Sequence, residues 1–138
     1  MSIPQAKILL VDDFSMVRAS IKNILKDLGI TNIHEAKDGQ QALDLLSEAQ
    51  SNKDPFDLVF CDWNMPNMSG IEMLKEVKAK PELSDLPIVM VTAERDRANV
   101  VQALKQGAKD YVVKPFNKAQ ISKKIERILM QTPTRASA

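Results

Sequence analysis

Four short apolar runs in this chain each end on a polar group that a core would reject. Lys7 to Val11 (KILLV) ends on Asp12 and Asp13, and Leu58 to Cys61 (LVFC) ends on Asp62. Pro87 to Val91 (PIVMV) ends on Thr92, and Tyr111 to Val113 ends on Lys114. Apolar runs bounded by turn residues read as fully buried strands. If those strands are parallel, all four ends share one edge, where ligands and chemistry collect in open α/β sheets. Three carboxylates crowded there raise one another's pKa. A hard cation relieves the conflict, and an oxygen-only donor set with few protein ligands points to Mg²⁺. A carboxylate so placed can attack a phosphoryl group and hold it as an aspartyl phosphate. Asp62 is the expected nucleophile, because the chain after it breaks into a loop with Pro66 and Gly70. Such a transfer needs positive charge around three equatorial oxygens more than it needs an acid or a base. Lys114, the Thr92 hydroxyl and a backbone N–H near Ala93 are the candidates to hold those oxygens.

The intervening segments carry the helical period. Val17, Ile21, Ile24, Leu25 and Leu28 form one stripe, with Ser15 as the expected cap and Gly29 as the stop. Asn32 to Ala36 reads as a short strand followed by an Asp38-Gly39 turn. A helix is then expected from Gln40 to about Ala49, burying Ala42, Leu45 and Leu46. Ile71, Leu74 and Val77 mark the next helix, before a connector from Lys80 to Leu86. Ala98 to Gln106 is expected as helix with Val101 and Leu104 inward and Gly107 closing it. Asn117 caps a last helix whose Ile121, Ile125, Ile128 and Leu129 share a face. Strand and helix alternate five times, which predicts a doubly wound α/β fold: a five-stranded parallel sheet with five helices on its two faces.

Composition narrows the class. The 138 residues are 44% hydrophobic and 27% charged, as in a single globular domain. Its core is expected over about residues 6–130, with Gln131 to Ala138 as a loose tail. No apolar stretch approaches the roughly 20 residues needed to cross a bilayer, and MSIPQAK lacks the features of a secretory signal. The single cysteine, Cys61, excludes an internal disulfide and suits a reducing compartment, so a cytosolic chain is expected. Residues 1–94 carry 9 Lys/Arg against 15 Asp/Glu, a balance of −6, whereas residues 95–138 carry 10 against 3, a balance of +7. That asymmetry suits an acidic partner or nucleic acid, or simply solvated helix faces. His34 and Cys61 read as structural. Trp63 reads as a loop residue roofing the site.

The motifs DD at Asp12-Asp13, DWNMPNMSG from Asp62, MVTAE from Met90 and YVVKPF from Tyr111 resemble the receiver domain of bacterial two-component response regulators. The similarity is nearest to the single-domain chemotaxis members and spans residues from about 6 to 130. It implies a flavodoxin-like sheet of order 2-1-3-4-5. It also implies a sensor histidine kinase as phosphoryl donor and Asp62 as phosphoacceptor. Mg²⁺ would be held by Asp13, Asp62 and the backbone carbonyl of Asn64, with Asp12 acting through water. Thr92 and Lys114 match the residues that bind the phosphoryl group, and Tyr111 matches the switching aromatic. Pro115 matches a proline preceded by a cis bond. Asn64 and Glu94 flank the path of the water that hydrolyses the phosphate.

The implied output surface comprises Asp96 to Gln106, Tyr111 to Val113 and Phe116 to Arg127, the face of the fourth helix, fifth strand and fifth helix. Its Lys105, Lys109, Lys118, Lys123 and Lys124 suit an acidic peptide. The implied output is a contact with a partner, the flagellar switch in chemotaxis. Asp96 and Arg97 stand where chemotaxis regulators carry two lysines, Leu104 replaces a smaller residue, and the Ser51 to Pro55 linker is longer than in close relatives. The alternative within signalling is a phosphate sink, relay member or adaptor of another pathway. A monomer is expected, with no nucleic acid or membrane as partner, that catalyses only its own phosphorylation and dephosphorylation. A phosphatase of the haloacid dehalogenase kind needs a second Asp two residues after the nucleophile, where this chain has Asn64, an amide that cannot protonate a leaving group. A nucleotide-binding domain needs a glycine-rich loop after the first strand, which Val11-Asp12-Asp13 does not offer.

Overall fold

The computed structural model describes residues 3–93 and 97–131, the side chains of Arg97 and Gln131 excepted. After a short 3-10 turn at Ile3–Gln5, strands and helices alternate: β1 (Lys7–Val11), α1 (Ser15–Asp27), β2 (Asn32–Ala36), α2 (Gly39–Ser51), β3 (Leu58–Asp62), α3 (Gly70–Ala79), β4 (Ile88–Thr92), α4 (Arg97–Lys105), β5 (Asp110–Val113) and α5 (Lys118–Gln131). The sheet has the order β2-β1-β3-β4-β5, and every pairing is parallel. The predicted α/β architecture, strand count and order are those observed.

The three central strands are buried along their whole length, as expected where helices cover both faces of a parallel sheet. Their side chains alternate between two cores. Leu9, Val11, Val59, Cys61, Ile88 and Met90 face α2 and α3, meeting Ala42, Leu46, Met73, Leu74 and Val77. Ile8, Leu10, Leu58, Phe60, Val89 and Val91 face α1 and α5, meeting Ile21, Leu25, Ile121, Ile125 and Ile128.

Local chemistry sets the ends of the helices. Gly29, in the left-handed region at φ 86°, closes α1 while the Ile30 N–H reaches back to the Leu25 carbonyl at 3.0 Å. Asn117 caps α5 as expected, its Oδ1 accepting the Gln120 N–H at 2.9 Å.

Several expected details differ. Ser15 is the first residue of α1 rather than its cap; Phe14 holds the cap position, and its ring has no acceptor to offer the first turn, while the Asp12 carboxylate takes the Phe14 N–H. Asp38 and Gly39 do not form a turn: Asp38 caps α2, accepting the Gln41 N–H at 2.8 Å, so the helix starts at Gly39. Leu43 is buried and Leu45 only half-buried. β4 begins one residue later than predicted and includes Thr92.

The largest difference is in α4, where Val101 and Leu104 are 40% and 43% exposed and Ala103 is the buried residue. The segment holds two overlapping stripes, Val100–Ala103 and Val101–Leu104, and periodicity cannot choose between them. Ala103 is the residue of α4 that joins the core layer of α2 and α3.

One glycine controls how the chain leaves β3. A Cβ on Gly70 would lie 2.1 Å from the Asp62 carbonyl oxygen and 2.8 Å from Met90 Cε. Gly70→Ala is therefore expected to destabilise the fold by roughly 1–3 kcal/mol in urea unfolding, the range for overpacking. A Cβ on Gly39 would meet only the flexible Met68 side chain, from 2.9 Å, so Gly39→Ala should lose less than half as much. Equal losses would remove the close-approach argument.

Candidate functional site

Register brings the four strand ends together. Val11 pairs with Ala36 and with Cys61, Asp62 with Val91, and Thr92 with Val113. The residues that follow therefore emerge at one edge. Asp12 is buried there, its N–H donating to the Ala36 carbonyl at 3.1 Å and its Oδ1 accepting the Phe14 N–H at 2.9 Å. Asp13 follows in the loop. Asp62 is buried at the tip of β3. The Lys114 N–H donates to the Thr92 carbonyl at 2.7 Å, tying the end of β5 to β4. Its ammonium lies 3.0 Å from Asp62 Oδ1 and 3.3 Å from Asp12 Oδ2.

One carboxylate oxygen from each of Asp12, Asp13 and Asp62 lies within 4.8 Å of the other two, a grouping that could hold a metal ion. Asp13 Oδ1 is buried with no hydrogen-bond partner among the described residues, an arrangement that a buried acceptor tolerates poorly unless something completes it. With all three acids ionised, Lys114, their one ion-pair partner among the described residues, leaves a net charge of −2 on these four groups, which a divalent ion matches. All the donors are hard oxygens, so the residues present fit Mg²⁺.

The electrostatics agree with this crowding. Burial pushes the Asp62 carboxyl above its ordinary value; the Lys114 hydrogen bond opposes the rise, and the charges of Asp12 and Asp13 add to it. Burial pulls on Lys114 in the downward direction, but its hydrogen bond to Asp62 and the charges of Asp62 and Asp12 raise it overall. Burial, with the charges of Asp62 and Asp12 behind it, holds the neighbouring Cys61 thiol far above the range in which it ionises, which makes it a core residue, as read from the sequence. His34 is exposed, with Nε2 2.8 Å from Asn32 Oδ1 and its ring edge-on to Phe56 at 5.3 Å.

The β3–α3 loop is tied down at both ends. The Trp63 N–H donates to Val91 at 3.1 Å, and the Trp63 carbonyl accepts the Gly70 N–H at 2.8 Å. Ser69 and Glu72 form a reciprocal cap that starts α3. Trp63, Met65 and Met68 are half-buried against the core layer of α2 and α3, so Trp63 is more enclosed than a free loop residue. Asn64 and Ala93 are exposed, Thr92 is buried, and Tyr111 is half-buried, with the Lys124 ammonium 5.5 Å from its ring centre. The Lys114–Pro115 bond is cis, as the family resemblance implied. Glu94 and Asp96 lie outside the described residues, as do the side chain of Arg97 and the tail beyond Gln131.

Two features escaped the sequence reading. Arg18, one turn into α1, donates from Nη1 to the Asp12 carbonyl and from Nε to Glu35 at 2.9 Å. Its signal in the sequence was only a basic residue six positions after the first acid. At the opposite edge of the sheet Lys7 is buried, donating to the Asp54 carbonyl at 2.6 Å and lying 4.5 Å from the Phe56 ring centre.

Residues 8–126 match the family model described as the response regulator receiver domain. The chain is 47% identical over 122 residues to the Vibrio cholerae chemotaxis protein CheY-3, covering 88% of this chain and 90% of that one. It is 48% identical over 122 residues to the chemotaxis protein CheY of Pseudomonas aeruginosa, covering 88% and 94%. Among solved structures it is similar to the receiver domain of a Pseudomonas aeruginosa sensor histidine kinase, determined with a magnesium ion coordinated in its active-site cleft. That match has a TM-score of 0.78 and 25% identity, covering 91% of this chain and 98% of the other.

The Asp62 shift carries a stability sign. The folded chain holds this proton more tightly than the unfolded chain, whose ordinary value is 3.8. The resulting penalty is absent below that pH and grows as pH rises through the raised folded value. Without added metal, Asp62→Asn should therefore have a higher thermal midpoint than the parent at pH 7, and the difference should shrink toward pH 4. A midpoint equal to or below the parent's at pH 7 would contradict the strain assigned to this carboxylate.

Proposed function

The chain belongs to the response regulator receiver family, and from that membership we propose that it is a phosphorylation-driven switch of a two-component system. Asp62 is the phosphoacceptor and a sensor histidine kinase is the donor. One observation carries the reading: a buried Asp62 shares a cluster of three converging carboxylates with a single ammonium, Lys114, 3.0 Å from its oxygen.

Asp13, Asp62 and the Asn64 backbone carbonyl would hold Mg²⁺, with Asp12 acting through water. When bound, the ion supplies charge neutralisation for the incoming phosphoryl oxygens. Asp62 attacks phosphorus as the bond to the donor histidine nitrogen breaks. Lys114, already beside the attacking oxygen, follows the new negative charge, while the Thr92 hydroxyl and the Ala93 N–H receive the remaining oxygens. The phosphoryl group brings a charge of about −1.5 to −2 and three acceptor oxygens. Thr92 and Lys114 are drawn toward it, and Tyr111 moves into the space that Thr92 leaves. The receiver is then a two-state element biased by one covalent event. Asn64 and Glu94 tune the water that ends the state, so the only reactions catalysed are the protein's own phosphorylation and dephosphorylation.

The output surface is the α4–β5–α5 face. Val101 and Leu104 are exposed apolar groups there, and Lys105, Lys109, Lys118 and Lys123 of the same surface are exposed as well. Apolar anchors on a surface that also carries lysines suit an acidic amphipathic helix. Two of the lysines on this face are already paired: Lys118 with Asp27 at 3.6 Å, and the half-buried Lys124 with Asp110 at 3.0 Å. The names of the two relatives support chemotaxis as the pathway, and hence the flagellar switch as the partner. The magnesium in the Pseudomonas receiver supports Mg²⁺ as the ion. The buried free thiol of Cys61 suits a reducing cytosol, and the protein is read as a monomer.

Incubation with Mg²⁺ and acetyl phosphate should add about 80 Da, one phosphoryl group, to the intact parent chain and nothing to Asp62→Asn. An adduct that survives in the Asn variant would move the acceptor elsewhere. A fluorescent acidic amphipathic peptide should bind the acetyl-phosphate-treated parent at least several-fold more tightly than the untreated chain, by anisotropy. Equal binding would remove the switch and leave a phosphate sink or relay.

A further inference from the structure

Arg18 lies on α1 with a side chain only 17% exposed, and its guanidinium turns back toward the acid pocket. Its hydrogen bonds nonetheless avoid the pocket's carboxylates: Nη1 donates to the backbone carbonyl of Asp12, and Nε to Glu35 Oε1 at 2.9 Å. Glu35 stands on β2 as the register partner of Leu10, one residue before Ala36, whose carbonyl receives the Asp12 N–H. The other Glu35 oxygen lies 3.4 Å from the Lys22 ammonium. The peptide planes on both sides of Asp12 are thus held against β2, one directly and one through Arg18. The second of these planes is the link to Asp13, so its orientation sets the direction in which the Asp13 side chain leaves the backbone. Asp13 Oδ1, like Gln50 Oε1, is a buried oxygen without a partner among the described residues, and Asp13 contributes one of the three converging carboxylates.

Resting on the metal-assisted reading above, we propose that Arg18 is a positioning residue for the divalent cation. Through the Asp12 carbonyl it fixes the direction of Asp13, and Glu35 holds Arg18 in that pose. A planar fork suits this task, because two donors on one rigid group can hold a carbonyl and a carboxylate at once. A lysine in its place presents a point charge on a flexible stem.

Charge and geometry make opposite predictions here, which gives the test its force. A cation beside three carboxylates repels a second cation, so removing Arg18 on charge grounds alone tightens Mg²⁺ binding. Removing a group that orients a ligand loosens it, by about 10- to 100-fold for the outer partners of metal ligands.

The experiment is calorimetric titration of the full chain with magnesium chloride, beside thermal midpoints measured without metal. Arg18→Met should weaken Mg²⁺ binding about tenfold, Arg18→Lys should restore part of the loss, and Glu35→Gln should lose less than Arg18→Met. The midpoints without metal should stay near the parent's. If Arg18→Met binds Mg²⁺ as tightly as the parent or more tightly, Arg18 acts only as a local charge and the proposal falls, with the metal site intact. If the midpoints drop while Mg²⁺ affinity holds, the clamp serves the fold alone and the proposal also falls. Should Arg18→Met fail to fold, Glu35→Gln decides the matter by the same two readings. A parent chain that binds no Mg²⁺ would bring down the metal-assisted reading itself, and the role of Arg18 with it.

Discussion

Mutual repulsion among Asp12, Asp13 and Asp62 is the constraint to which the rest of the molecule answers. Carboxylate oxygens within 4.8 Å of one another cannot all be ionised cheaply next to an apolar sheet. Lys114 offsets part of the repulsion, and burial still leaves the Asp62 proton bound more tightly than in water. A site left unsatisfied at rest responds strongly to whatever supplies positive charge or fixed hydrogen bonds. This is the familiar exchange of stability for function. It explains why such polar groups sit at the tip of a buried strand, where apolar residues would make a more stable chain.

The parallel sheet makes this crowding possible. Each central strand is buried on both faces, so its first polar residue appears only where the strand runs out. Parallel pairing of all five strands then brings every such end to the same edge. An antiparallel arrangement in the same strand order would send Asp12, Asp13 and Thr92 to the edge opposite Asp62 and break up the three-carboxylate cluster. Close approach of α3 completes the frame, because Gly70 lets the helix start against the Asp62 carbonyl. The cap formed by Ser69 and Glu72 then holds the loop.

Stability is distributed unevenly around this edge. α1 and α5 bury branched apolar residues such as Ile21, Leu25, Ile121 and Ile125, whereas α4 buries Ala103 and turns Val101 and Leu104 toward solvent. An element with little apolar area in the core reorganises at low energetic expense. The proposed phosphorylation of Asp62 would change the charge near Thr92 at the end of β4, and α4 follows β4 in the chain. The part of the structure least committed to the core is therefore adjacent to the chemistry and carries apolar groups suited to a partner.

The strand signals were legible because buried parallel strands read as unbroken apolar runs. β1 ends where the run KILLV ends and β3 takes in Asp62 after LVFC; β2, NIHEA, is mostly exposed and gave a weaker signal of the same length. The four site positions, Asp12/Asp13, Asp62, Thr92 and Lys114, could be read for the same reason: each is the first polar residue after such a run. The face of α5 was equally clear, since Ile121, Ile125 and Ile128 allow only one stripe. Other features had no such signal. Two stripes compete in α4, and the choice between them depends on how closely the sheet admits a helix. Asp38 can cap or turn, and its role depends on where the next helix begins. Lys7 is apolar along its stem and charged at its tip, so burial required a carbonyl and a ring supplied from residues about fifty positions away.

By itself, the order of residues determined the alternating architecture and which side chains would stand at the reactive edge, because hydrophobic periodicity and strand ends are local properties. Tertiary structure alone decided the distances among those side chains, the outward face of α4 and the Arg18–Glu35 clamp beside Asp12. Those depend on register between strands and on contacts between residues far apart in the chain, which no local pattern encodes.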